Sequence, residues 1–396
     1  MRRLIGIRAM DNELRKVWPF TYYLVFFGGM ASFIPYIVLY YQSIGFSGAE
    51  IGLLVAISPL ISLVGGPFWT GVADTTHRHR SVMSIALAAA VILIFFLPFL
   101  RTFLPILILV FVYSFMSAPV NSLADSATMS MLADEKHLYG RVRMGGTFGW
   151  GMSAPLVAIV VSKNGLPWAF WICSLFMFMA LLISQRFFYT KHEEQGSFRH
   201  GVRTLFANRH LVLFLFMAFI CGTAFATVNN YLFAYMHQLQ ISESRMGYAL
   251  AIATIAEIPV LFFADRLLIR FKPRGLLILS MAATGIRLLL FALFDSLAGI
   301  LVFQLINGLT FPALWVAGVS YANENAPAGL NATAQAVFGT MIFGFGAAAG
   351  GFLGGLLLES LGGQMMYAIF GAMVLVMLAV YIFAEPRISI QHENTI

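Results

Sequence analysis

The chain has 396 residues, of which 60% are hydrophobic and only 10% charged, with a formal net charge of +7. Soluble domains carry about 25% charged residues, so this composition excludes a soluble enzyme or a free nucleic-acid binder and calls for a polytopic membrane protein. An apolar run needs ~20 residues to cross a bilayer as a helix, and twelve such runs are predicted at 18–42, 49–70, 81–100, 104–132, 139–162, 167–189, 209–237, 246–269, 275–294, 297–322, 330–357 and 364–383.

The basic segment before the first run has no small-residue cleavage site, so the first span itself is expected to serve as the targeting element. Lys and Arg cluster before run 1 (Arg2, Arg3, Arg8, Arg15, Lys16), after run 2 (Arg78, Arg80), at the junction of runs 4 and 5 (Lys136, Arg141) and around the junction of runs 8 and 9 (Arg266, Arg270, Lys272, Arg274). The segment 190–208 holds Lys191, Arg199 and Arg203, with Arg209 just beyond it, whereas the opposite loops carry only Arg101, Lys163 and Arg245. Positive loops stay in the cytoplasm, which predicts cytoplasmic termini, a multi-pass protein of the cell inner (plasma) membrane, and a net charge that serves topology and anionic lipid. The same polar segment divides the chain into an N-terminal six-helix bundle (1–189), a central cytoplasmic loop (190–208) and a C-terminal six-helix bundle (209–396), an all-α membrane protein. Cys173 and Cys221 both fall in apolar runs and carry no redox argument.

Asp125 and Glu257 lie deep inside apolar runs, and each has an arginine in the next run, Arg143 and Arg287. A charge at membrane depth costs at least ~2.5–3.5 kcal/mol, so an ionisable residue there marks a site. Asp125 precedes the polar turn at Asp134 by nine residues and Arg143 follows Lys136 by seven, which puts the two at nearly the same depth at about 1.5 Å per residue. Glu257 and Arg287 lie near the middles of runs 8 and 9 and are expected to pair or to be bridged. Each pair has two readings, an ion pair that fixes helix packing or a site facing a central cavity between repeats. Phe27 on run 1, Asn230 on run 7 and Asn307 on run 10 add candidate substrate contacts, and interhelical packing is the competing reading for each. The sequence has no nucleotide-binding glycine loop and no His/Cys cluster, and His77, His79, His137, His192 and His200 are loop residues. No cofactor, metal or catalytic residue is expected.

Two stretches repeat an Ala-Asp followed by basic residues: Ala73-Asp74 with Arg78 and Arg80, and Ala264-Asp265-Arg266 with Arg270. With twelve runs and a central basic loop, this resembles the major facilitator superfamily, which implies gating roles for Asp74, Arg80, Asp265 and Arg266. Thr70, Thr75 and His77 depart from that loop pattern. The run Tyr139-Gly140-Arg141-Val142-Arg143 with Gly146 and Gly149-Trp150 is similar to the hairpin of the lactose permease group. The resemblance implies substrate binding by Asp125, Arg143 and Trp150. In the second half Asn307 and Thr310 stand where that group carries a His and an acid, and Phe225, Val228 and Phe343 replace its other charges. Glu257 and Arg287 look closer to the phenylpropionate permease branch, where the resemblance implies proton coupling. The expectation is a monomeric secondary active transporter that imports a small organic solute, a sugar or an aromatic acid, with protons by alternating access. The competing classes are a proton-driven multidrug or metabolite efflux antiporter, for which only Gly151 and Ala154-Pro155 provide fragments of a pattern, and a sensor that does not transport.

Overall fold

A computed structural model describes residues 2–189, 205, 209–327 and 329–393, with side chains described between Val17 and Ala384. The predicted central loop at 190–208 lies outside the described residues except for Leu205, and so do the N-terminal basic side chains. Among the described residues every regular element is helical. Seven helices precede the central segment: α1 (Arg2–Ser43), α2 (Gly48–Thr76), α3 (His79–Phe96), α4 (Phe103–Ser117), α5 (Val120–Leu132), α6 (Tyr139–Asn164) and α7 (Pro167–Ser184). Seven follow it: α8 (Arg209–Gln238), α9 (Glu243–Phe262), α10 (Ala264–Leu293), α11 (Leu297–Gln304), α12 (Phe311–Asn325), α13 (Asn331–Thr340) and α14 (Ala347–Glu393).

The breaks between these helices have local causes. The predicted run 104–132 divides at Ala118-Pro119, because proline lacks the amide N–H that would continue the helix. Run 297–322 divides at a 3-10 turn, Leu305–Leu309, after which Thr310 leaves helical backbone (φ −88°, ψ −104°) and the next helix begins at Phe311-Pro312. Run 330–357 is continuous but contains one π-helical turn, Met341–Gly346. α14 bends sharply at Gly362, whose φ of +80° suits glycine. α10 turns at Lys272 (φ 55°) before Pro273, which separates a short segment from the apolar length that follows.

Among the described residues ten stretches are long and apolar enough to cross a membrane, and two of them, Phe103–Asn164 and Asn331–Ala384, run to 62 and 54 residues. Backbone in hydrocarbon must satisfy its own hydrogen bonds, and helices do so. Large apolar side chains are correspondingly exposed along these stretches, with Val64, Phe262 and Phe383 each more than 60% accessible.

The chain folds as two compact units. One comprises 1–44, 61–193 and 242–251, and the other 45–60, 194–241 and 252–396. In the first, α1 packs along α6 and α7, and α3 packs on α7. In the second, α14 packs along α8 and α10, and α10 packs on α12. The start of α2 is tied into the second unit by Glu359, whose carboxylate accepts the Gly48 amide N–H at 2.8 Å.

Candidate functional site

In the first unit the site grows from the contact of α6 with α1. A Cβ on Gly145 would stand 2.4 Å from the Phe20 carbonyl oxygen, and one on Gly149 would stand 2.0 Å from that of Leu24. Only glycine permits so close an approach, and it delivers Arg143 onto the aromatic face of α1. The Arg143 guanidinium lies 4.6 Å from the ring centres of both Tyr23 and Phe27, a cation held by two π faces. Asp125 approaches from α5, with 3.7 Å between its Oδ1 and Arg143 Nε. The stronger contact to Oδ1 comes from the Tyr23 hydroxyl, which donates at 2.5 Å. Tyr139, at the start of α6, adjoins both charged groups. Asp125 and Arg143 each keep about a third of their side-chain surface exposed, so the pair retains access to a ligand. Trp150 is half-buried two turns beyond Arg143 on α6, and the rings that flank the guanidinium are Tyr23 and Phe27.

In the second unit Arg287 is only 4% exposed. Its Nη2 donates to Gln304 Oε1, and its Nη1 donates to Asn307 Oδ1 at 2.5 Å and to Thr310 Oγ1 at 3.3 Å. Asn307 Nδ2 in turn donates to Glu257 Oε1 at 2.6 Å. Among the described residues no salt bridge joins Arg287 to Glu257 directly, and the bridge between them is the Asn307 amide. The 3-10 turn makes this possible. A Cβ on Gly308 would stand 2.1 Å from the Ala256 carbonyl oxygen, so glycine there brings Asn307 against the helix that carries Glu257.

The remaining candidates are more dispersed. The Asn230 amide donates to Ala226 O of its own helix at 2.8 Å. Asp74 is met by His79 Nε2 at 2.8 Å, while Arg80 Nε donates to Gln185 Oε1 at 3.3 Å. Asp265 lies in the first turn of α10, where an acid suits the helix dipole, and Arg266 lies over the Phe263 ring at 5.2 Å. A cluster that sequence reasoning did not assemble joins Phe225, Phe311, Trp315 and Phe343, with Phe225 and Phe311 stacked at 4.0 Å. The π-helical turn carries Phe343 into it, and nothing in an apolar sequence signals such a turn.

The MFS_1-like family model matches residues 20–369, most of the chain. This chain belongs to that family of the major facilitator superfamily. It is 26% identical over 373 residues to a maltose permease of Geobacillus stearothermophilus, covering 92% of this chain and 94% of that one. It is 22% identical over 351 residues to a putative nucleoside transporter, YegT, of Escherichia coli, covering 84% and 81% of the two chains. Among solved structures, the nucleoside transporter NupG superposes with a TM-score of 0.83 at 17% identity, covering 93% of this chain and 98% of that one. At that identity the likeness concerns the fold alone. Membership in the MFS_1-like family makes this protein a multi-pass membrane transporter of a small molecule and not an enzyme.

Proposed function

We propose that the protein imports a small hydroxylated ring compound, a sugar or nucleoside in preference to an aromatic acid, together with protons, by alternating access through twelve spans with cytoplasmic termini in the cell inner membrane. The observation that carries this reading is that each unit holds one carboxylate and one arginine through polar partners inside apolar helices. Asp125 balances the charge of Arg143, which favours an uncharged solute over an anion, and the Tyr23 and Phe27 rings suit a ring-shaped one. The maltose permease and the putative nucleoside transporter YegT among the relatives support the same solute class. The 62- and 54-residue stretches support twelve spans if each crosses twice, and the basic loops support the orientation. The unit-two network supports Glu257 as the proton carrier, since a buried carboxyl favours its neutral form while a nearby guanidinium favours the ionised one. The division into bundles at 1–189 and 209–396 belongs to the same proposal, as do the gate roles of Asp74, Arg80, Asp265 and Arg266, contacts of Asn230 and Asn307 with substrate, and function as a monomer. Proteoliposomes offered labelled maltose, uridine and 3-phenylpropionate, with and without an inwardly directed proton gradient, test the proposal. Accumulation of maltose or uridine that a protonophore abolishes is expected. Accumulation of none of the three, or extrusion driven by the gradient, would overturn it.

Trp150 is expected to act as an apolar platform, because the i+7 spacing sets it on roughly the same face of α6 as Arg143. Trp150→Phe should retain part of the solute affinity and Trp150→Ala should lose most of it. In a variant whose other five tryptophans of the six are replaced, solute addition should change the emission of Trp150. An unchanged emission removes Trp150 from the site.

A further inference from the structure

The Asn307 side chain stands between groups of opposite hydrogen-bonding capacity. A guanidinium can only donate and an ionised carboxylate can only accept. Arg287 Nη1 donates to Asn307 Oδ1 at 2.5 Å while Asn307 Nδ2 donates to Glu257 Oε1 at 2.6 Å, so the partners themselves dictate which way the amide faces. Arg287 is the charged group facing Glu257 from α10, and Tyr367 faces Arg287 from α14. A proton taken from solution onto Glu257 Oε1, the oxygen that Asn307 Nδ2 now meets, turns that oxygen into a donor, and the acceptor of the facing amide is Asn307 Oδ1. Presenting Oδ1 to Glu257 requires the amide to turn over about its terminal torsion, which is broad and roughly two-fold. The turned amide sets its NH2 against Arg287 Nη1, donor against donor. Arg287 must then give up Asn307 while Gln304 and Thr310 still hold it.

We infer that Asn307 is a relay: a proton on Glu257 reverses the Asn307 amide and frees an N–H of Arg287 for a hydroxyl or carbonyl oxygen of the solute. The inference rests on Glu257 as the proton carrier and adds how its proton is felt at the arginine. It assigns Asn307 a positioning role, acting through Arg287. The close seat of Gly308 on Ala256 holds the relay within reach of both partners, and the helix break at Thr310 leaves room for side-chain partners where backbone would otherwise bond to backbone.

Infrared difference spectroscopy on the purified full chain, labelled with isotopic arginine and titrated with acid in the absence of solute, tests the relay. Glu257→Gln identifies the Glu257 carboxyl band, and Arg287→Lys identifies the Arg287 guanidinium band. In the wild type the two bands should shift together. In Asn307→Leu, which neither donates nor accepts, the carboxyl band should still titrate while the guanidinium band loses its coupled shift. Asn307→His should restore the coupling, because a neutral imidazole has one donor and one acceptor nitrogen. If Asn307→Leu does not fold, Asn307→Ser, too short to touch both groups, serves the same comparison. A guanidinium band that follows the carboxyl band in Asn307→Leu or Asn307→Ser overturns the relay and leaves Glu257 as proton carrier. A spectrum with no titrating band lost in Glu257→Gln overturns the proton-carrier reading, and the relay falls with it.

Discussion

Glu257→Gln is expected to exchange solute across the membrane and yet fail to accumulate it. Glutamine keeps the size of the side chain and stands for the protonated carboxyl, so the Asn307 contact at 2.6 Å can be remade with the amide in its other orientation. Alternating access with solute bound needs no net release of a proton, whereas uphill uptake needs release in every cycle. In proteoliposomes with an imposed pH gradient, the variant should reach no more than equilibrium, with exchange within roughly tenfold of wild type, equivalent to about 1.4 kcal/mol. Full accumulation by Glu257→Gln would remove it from the coupling path and turn attention to Asp125. Loss of exchange as well would show that the residue holds the fold or the solute instead.

Arg143→Lys is expected to lose most solute binding although its charge is unchanged. The guanidinium is planar, lies over the Tyr23 and Phe27 rings at 4.6 Å from each, and still presents N–H groups beyond its loose contact with Asp125. An ammonium is a compact point charge with neither the planar fork nor the stacking surface. Each charge-assisted hydrogen bond contributes about 1.5–3 kcal/mol, so an ammonium that keeps one of the two bonds of a bidentate contact implies a fall in affinity on the order of 10- to 100-fold. Asp125→Asn should show a smaller loss, because Tyr23 can still donate to its amide oxygen. Calorimetry in detergent with whichever of maltose or uridine the protein accumulates measures both. Unchanged affinity in the two variants would reduce the pair to a packing element of α1, α5 and α6.

Much of this arrangement was legible in the sequence because membranes impose simple rules. Apolar length located the helices long enough to cross, divided into twelve runs where the described residues form ten stretches, and similar distances from the Asp134–Lys136 turn placed Asp125 near the depth of Arg143, which it approaches to 3.7 Å. What depends on the contact of helices distant in sequence was hidden. Tyr23 reads as one aromatic among many on α1, and only the packing of α1 against α5 shows that its hydroxyl meets Asp125. Glu257 and Arg287 were expected to pair or be bridged, and the bridge is a neutral amide, because α11, α12 and the turn between them interpose. Runs 104–132 and 297–322 read as unbroken by hydropathy. Pro119 and Pro312 were the available signals of their breaks, since proline lacks the amide N–H that continues a helix and suits the start of the next one.

The Arg287 network also constrains how the protein is made. Every neutral partner of this guanidinium, Gln304, Asn307 and Thr310, is synthesised after it. During translation α10 therefore reaches the membrane with a charge costing at least ~2.5–3.5 kcal/mol and only Glu257 ahead of it to compensate. The economical course is for α10 to wait and enter together with the segment from Leu297 to Asn325 as a helical hairpin. Nascent chains ended near Asp295 should integrate α10 poorly in a translocon insertion assay, and chains extended past Asn325 should integrate it well. Equal integration at both lengths would show that the ribosome-bound helix crosses alone.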